Sequence, residues 1–261
     1  MSNPLLDFSG LPRFAEITNE HIASAIKALL EENRVLIEKV RTDVQAPTWQ
    51  NFVQPMVDAS ERLSRAWGQV SHLNAVMNTP RLREIYNANL PLITQFYAEL
   101  SQDVLLFERF KQLRKSPEFN HLTSARKKII ENELRDFRLG GAELPSEKKQ
   151  RFLQIQKELS NLSSKFNDNL LDATNAYELL IEDAKTVAGI PDDVLQAAKE
   201  LAAADSKAGW KFTLHMPSYF PVMQYADDRS LREKMYRANA TRASEFDSPA
   251  GSDRDKMLLI K

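Results

Sequence analysis

The sequence predicts a mainly α protein: an elongated bundle of long antiparallel helices with a small β-hairpin or strand pair. Three observations carry that prediction. Apolar residues recur at steps of three and four through most of the chain. A two-residue period replaces the helical one in only two short stretches, near residues 177–182 and 210–216. The 261 residues include only 7 glycines, too few for a turn-dense all-β sandwich or a glycine-rich nucleotide-binding protein.

The elements follow in order. Residues 1–17, with Pro4, Gly10 and Pro12, read as an extended lead-in. Thr18 or Asn19 caps a first helix whose face carries Ile22, Ile26, Leu29, Leu36, Val40 and Val44, and Ala46-Pro47 stops it. Thr48 caps a second, with Phe52, Met56, Leu63, Trp67, Val70, Leu73 and Met77 as its buried stripe and an early kink at Pro55. Thr79-Pro80 opens a third, running through Ile85, Ile93, Phe96, Leu100, Phe107, Phe110 and Leu113 to Ser116-Pro117. Pro91 is expected to kink or split it. A fourth helix spans about Ser124–Leu139 and stops at Gly140-Gly141.

The fifth helix follows Pro145. Phe152, Ile155, Leu159, Leu162, Phe166 and Leu170 fall at steps of 3, 4, 3, 4 and 4, the cleanest helical signal in the chain. At 1.5 Å per residue it would be about 45 Å long. A compact chain of this size has a radius of gyration of about 18 Å, which is why the bundle is expected to be elongated. The aromatic stripes, at helical spacing, read as core.

Beyond residue 175 the period changes. Tyr177, Leu179 and Ile181 alternate with Glu178, Leu180 and Glu182, and Trp210, Phe212, Leu214 and Met216 alternate with Lys211, Thr213 and His215. Between them Pro191-Asp192-Asp193 opens an alanine-rich helix. Pro217 and Pro221 frame a loop, residues 230 to about 244 are helical, 247–253 are turn-like, and a last helix starts near Asp253. The predicted organisation is therefore a helical bundle at 1–175 and a small α+β segment at 176–261.

Composition narrows the functions. Lys+Arg is 35 and Asp+Glu is 36, a net charge of −1, so nucleic acid and anionic membranes are not expected partners. The absence of cysteine removes disulfides, thiolate zinc sites and cysteine nucleophiles, and fits a cytoplasmic location. No signal peptide and no membrane span are expected.

The chain has four histidines, His21, His72, His121 and His215, no two within 40 residues. None forms the His-x-x-x-His pair of a helical zinc site, which leaves a site assembled from distant ligands or four unrelated imidazoles, and no metal ligand or catalytic residue is assigned in this chain. Asp168 and Asp172 share a helix face, where they could bind a cation or do acid–base work but read as solvated, and the clusters Arg126-Lys127-Lys128 and Lys148-Lys149-x-Arg151 are balanced by Glu131, Glu133, Asp136 and Glu147 on mixed solvated faces. There is no phosphate loop and no nucleophile elbow.

One segment is compositionally distinct. Pro217-Ser218-Tyr219-Phe220-Pro221-Val222-Met223-Gln224-Tyr225 holds two prolines and three aromatic rings in nine residues. Structurally it reads as a rigid segment docking a helix through Leu231, Met235 and Ala238; functionally it is a wall presenting Tyr219 and Tyr225 to a ligand.

That segment resembles the zinc metallopeptidase family of oligopeptidase A, thimet oligopeptidase, neurolysin and the dipeptidyl carboxypeptidases. Six further stretches match in family order: Met1-Ser2-Asn3-Pro4-Leu5-Leu6, Val70-Ser71-His72-Leu73-Asn74, Leu134-Arg135-Asp136-Phe137, Leu170-Leu171-Asp172-Ala173-Thr174, Leu231-Arg232-Glu233-Lys234-Met235-Tyr236-Arg237-Ala238 and Thr241-Arg242-Ala243-Ser244. The family's zinc-binding His-Glu-x-x-His does not occur here. The resemblance implies the N-terminal lobe of a longer enzyme, one wall of a channel that admits short peptides. It further implies zinc in the missing C-terminal catalytic part, none in this chain, and no activity of these residues alone. Tyr219 and Tyr225 are its channel candidates. The alternative is a stand-alone helical peptide-binding or scaffold protein derived from such an enzyme. The apolar run Met257-Leu258-Leu259-Ile260 is expected to need a partner, which the rest of the enzyme would provide.

Overall fold

The computed structural model describes residues 3–243. The turn expected at 247–253, the last helix and Met257–Ile260 lie outside the described residues. Among those described are ten α-helices and a single two-stranded sheet, a mainly α fold as expected. The helices are α1 Asn19–Thr42, α2 Gln54–Val76, α3 Pro80–Ser101, α4 Val104–Lys115, α5 Pro117–His121, α6 Ser124–Leu139, α7 Ser146–Ala176, α8 Asp192–Ala204, α9 Met216–Tyr225 and α10 Arg229–Ala240. The strands are β1 Leu179–Ile181 and β2 Trp210–Phe212. The chain forms two compact units, Met1–Asn161 and Leu162–Lys261, with the division inside α7.

Local chemistry sets most helix starts in the first unit. The Thr18 amide donates to His21 Nδ1 at 3.1 Å at the head of α1. Thr48 and Asn51 cap reciprocally: the Thr48 amide donates to Asn51 Oδ1 at 2.7 Å and the Asn51 amide to Thr48 Oγ1 at 3.0 Å. That box opens a π-helical turn, Trp49–Val53, which runs into α2. Pro55 falls in the first turn of α2, where a missing donor costs nothing, so the expected kink is a change of helix type before the proline.

The third helix differs from its prediction. α3 runs through Pro91 to Ser101, and the break comes at Gln102-Asp103. There the Asp103 carboxylate accepts the Leu106 amide at 3.0 Å and starts α4. Asp103 also pairs with Arg41 of α1 at 2.9 Å. A cap with a tertiary partner decides the boundary where the internal proline does not. Ser116-Pro117 ends α4 and also opens the short α5, which the sequence reading did not anticipate.

Two apolar clusters fill this unit. In one, α1 packs against α2 and α3 through Ile22, Ile26, Leu29, Leu63, Val70 and Phe96. The other joins α4 to α6 and the π turn: Phe52, Phe107, Phe110, Leu113, Ile130 and Phe137 are all buried. Phe52 meets Phe110 at a centroid distance of 4.7 Å, and Phe137 meets both Phe107 and Phe110 at 5.6 Å. Two buried polar side chains tie segments together. Asn33 Nδ2 donates to the carbonyls of Leu29 at 2.8 Å and Ala59 at 3.1 Å, joining α1 to α2. Arg109 donates to the carbonyls of Asp43 at 2.6 Å and Gln45 at 3.0 Å, holding the segment between α1 and the π turn.

The fifth predicted helix is present as α7, 31 residues long, yet none of its residues is buried. Ile155 and Leu159 are exposed, and Phe152, Leu162, Phe166 and Leu170 are half-buried, so this stripe is not core as its spacing suggested.

In the second unit β1 and β2 pair antiparallel, Leu179 opposite Phe212 and Ile181 opposite Trp210. The pair is shorter than the alternating stretches. Gly209, just before β2, has φ +98°, and a Cβ there would stand 2.3 Å from the Ile181 carbonyl oxygen, so only glycine lets the strands close. Lys211 sits opposite Leu180 and is almost buried. Its ammonium reaches Asp205 Oδ2 at 2.6 Å and Glu178 Oε1 at 3.1 Å. The hydrogen bond to Asp205 holds the lysine above its ordinary value and Asp205 below the usual carboxylate range.

The segment expected as a loop between Pro217 and Pro221 is helical: it is α9. Pro217 lies in the first turn, where the first four amides have no intrahelical acceptor in any case. Pro221 removes one internal bond, and the helix continues to Tyr225 because Val222 is fully buried in the unit's core. Its docking onto α10 through Leu231 and Met235, both buried, is as expected, with Ala238 partly buried beside them.

Candidate functional site

The segment singled out by composition is a helix held at both ends. At its start the Thr213 amide donates to the Ser218 hydroxyl at 3.0 Å. At its end the Asp227 amide donates to the Ala188 carbonyl at 2.9 Å, and Arg232 donates to the carbonyls of Ala226 and, at 3.1 Å, Asp227. Gly189 completes that corner. It has φ +84°, and a Cβ there would lie 2.3 Å from the Tyr225 carbonyl oxygen and 2.9 Å from the Asp227 carboxylate. The backbone at Tyr225 is therefore placed by a contact that only glycine permits.

The two tyrosines end up in different settings. Tyr219 is half-buried against the second unit's core, its ring edge-on to Phe220 at 6.0 Å. Tyr225 is 53% exposed. Six helical positions turn through about 600°, so the two side chains leave α9 about 120° apart. The helix thus does not bring Tyr219 and Tyr225 onto one face. The other exposed apolar side chains of α9 and α10 are Met216, Phe220 and Tyr236.

A second feature lies in the first unit. A cavity of about 440 Å³ is lined by side chains from α1, the π turn, α2, α3, α4 and α6. Leu36, Ile37, Met56, Leu100 and Phe110 give it apolar walls, and Ser60, Tyr97 and Glu133 are among its polar groups. The charge pattern of α6 predicts Glu133 to be one of the acids on a solvated face. In the fold it is half-buried, with no hydrogen bond or ion pair to any described residue. Burial pushes its carboxyl above the ordinary range, and the nearby Asp136 charge adds to the effect. Burial also raises the Tyr97 hydroxyl, opposed by a hydrogen bond from Ser60. A sequence signal for Glu133 does exist. It lies three residues after Ile130 and four before Phe137, both buried, which puts it at the margin of the apolar stripe.

The four histidines stay apart in separate local roles. His21 accepts from the Thr18 amide, His72 packs on the Phe14 ring at 5.2 Å, His121 Nδ1 lies 3.0 Å from the Pro117 carbonyl, and His215 precedes α9. Among the described residues no three histidine or carboxylate side chains are grouped to hold a metal ion, so the residues present do not fit a zinc site. No helix among them is long and apolar enough to cross a membrane.

Comparison with known proteins agrees with the resemblance drawn from the seven motifs. Residues 26–149 match the family described as "Neurolysin/Thimet oligopeptidase, N-terminal domain". Oligopeptidase A of Haemophilus influenzae is 46% identical over 259 residues, 99% of this chain. Oligopeptidase A of Escherichia coli is 40% identical over the same length. Dipeptidyl carboxypeptidase of Salmonella typhimurium is 29% identical over 261 residues, 95% of the chain. The chain spans 38% of the length of each of the two oligopeptidases A and 37% of the dipeptidyl carboxypeptidase. With its whole length aligned and the N-terminal domain matched, the chain belongs to the oligopeptidase A and thimet oligopeptidase family, as an N-terminal portion.

Proposed function

We propose that these residues form the N-terminal, substrate-channel lobe of a cytoplasmic zinc metallo-oligopeptidase that hydrolyses short peptides, and that they are catalytically incompetent alone. The observation that carries the reading is the 46% identity to an oligopeptidase A over 99% of this chain but only 38% of that enzyme. The absence of His-Glu-x-x-His from the sequence supports incompetence, and fits a metal and base held by the remaining part of the enzyme. The work left to this lobe is to bind and orient peptide and to exclude folded chains. Aromatic side chains suit that task, since they offer large contact area at low entropic cost. Tyr225, exposed at the glycine-braced end of α9, is the stronger channel candidate, and the half-buried Tyr219 is the second.

The test uses a quenched fluorescent peptide and the purified 261-residue chain with added zinc. No turnover is expected, and turnover abolished by a chelator would refute the assignment. In the longer enzyme, Tyr225→Ala is expected to raise KM several-fold with kcat little changed, the signature of lost substrate binding. Unaltered peptide kinetics would remove Tyr225 from the channel.

A further inference from the structure

We infer that the cavity of the first unit is a binding site for a small primary amine on an apolar body, its ammonium group seated against Glu133. This inference stands apart from the peptide-channel reading, because it concerns only groups within the first unit.

The lining is electrostatically one-sided. It includes two carboxylates, Glu133 and Glu61, and no lysine, arginine or histidine. Glu61 has a distant partner in Arg65 at 3.9 Å, whereas Glu133 has none among the described residues. A carboxylate held in an apolar wall without a partner is unfavourable, and the group responds by holding its proton more tightly. A bound cation reverses that, supplying the charge and the hydrogen bonds that the protein does not. The rest of the wall suits the same guest. The hydroxyls of Ser60, Ser64 and Tyr97 can accept N–H bonds, and Tyr97 and Phe110 bring aromatic rings to the wall. The aliphatic side chains provide the surface for an apolar body.

Size and access agree. About 440 Å³ lies within the range of small-molecule sites and exceeds what one or two waters need. Val57 and Tyr97, both on the wall, are 40% and 37% exposed, so the cavity opens at the surface. An anion is disfavoured by both carboxylates. A zwitterionic amino acid brings its own carboxylate into the same field, so the site selects the amine over the amino acid.

The experiment is calorimetric titration of the 261-residue chain with 2-phenylethylamine, 2-phenylethanol and phenylalanine. Saturable binding of the amine is expected, with the alcohol and the amino acid weaker by roughly tenfold or more, as for a lost charge-assisted hydrogen bond. Glu133→Gln keeps the side-chain shape, removes the carboxylate charge, and should weaken the amine about tenfold while leaving the alcohol unchanged. Val57→Trp, at the mouth, should weaken both. The inference is overturned if the amine shows no saturable binding, if the alcohol binds as well as the amine, or if Glu133→Gln leaves amine affinity unchanged. The ligand comparison on the unmodified chain does not depend on either variant folding.

Discussion

Leu113 and Leu159 both occupy an apolar helical stripe, and truncating each to alanine separates periodicity from burial. Leu113 is 0% exposed, among Phe107, Phe110, Phe119 and Ile130. Leu→Ala in such a setting costs about 2.7–5.0 kcal/mol, the lost transfer energy plus the cavity left behind. Leu159 lies on α7 and is 52% exposed. A leucine side chain fully buried contributes about 1.5–3 kcal/mol, so roughly half of that is at stake. The better helix propensity of alanine returns a few tenths. The expected costs are about 3 kcal/mol for Leu113→Ala and about 1 kcal/mol or less for Leu159→Ala. For a chain of this length 1 kcal/mol moves Tm by about 2–4 °C, giving drops of roughly 6–12 °C and less than about 4 °C. Urea unfolding followed by tryptophan fluorescence in a Trp210→Phe background reports on the unit concerned, since Trp49 and Trp67 both lie in it and Trp210 lies in the other. Equal destabilisation by the two substitutions would refute the placement of α7 outside the core.

Three further outcomes are expected. Gly189→Ala puts a Cβ against the Tyr225 carbonyl at a positive φ, and should cost about 2–4 kcal/mol in thermal unfolding; an unchanged Tm would show that the corner relaxes freely. Asn33→Ala removes donors to the carbonyls of Leu29 and Ala59, and should cost about 1–3 kcal/mol in chemical denaturation. The Lys211–Asp205 pair should make stability pH-dependent at both ends. The lowered Asp205 contributes above the ordinary carboxylate value of 3.8 and loses its effect as acid takes the pH through its folded value. The raised Lys211 contributes below the ordinary 10.5 and loses its effect as the pH rises through its folded value. Lys211→Met should therefore lower stability across the neutral range, with the gap to the parent chain closing in acid; a pH-independent gap would sink this account.

The helices were legible where one chain segment contains the whole cause. Thr79-Pro80 starts α3 and Asp192-Asp193 starts α8 because cap and dipole act within a single turn. Where a partner distant in sequence decides, the reading failed. The break at Asp103 is set by a cap that also pairs with Arg41, and α9 persists past Pro221 because Val222 is buried in the core. The candidate site divides in the same way. The aromatic segment at 217–225 stood out by composition, yet its helical form and the separate settings of Tyr219 and Tyr225 did not. Glu133 passed for a surface acid, although its spacing from Ile130 and Phe137 marked it as marginal.

By itself, then, the sequence determined the fold class, most helix starts, the short strand pair and, through its seven ordered motifs, the family. These depend on backbone periodicity, local capping and residue identity, all written along the chain. The tertiary structure alone decided which stripes are core, which carboxylate lies in an apolar cavity and which tyrosine faces solvent. A period of 3.6 shows that a helix has an apolar face, but burial is a property of what that face meets. The stripe of α7 has the most regular spacing in the chain and not one buried residue.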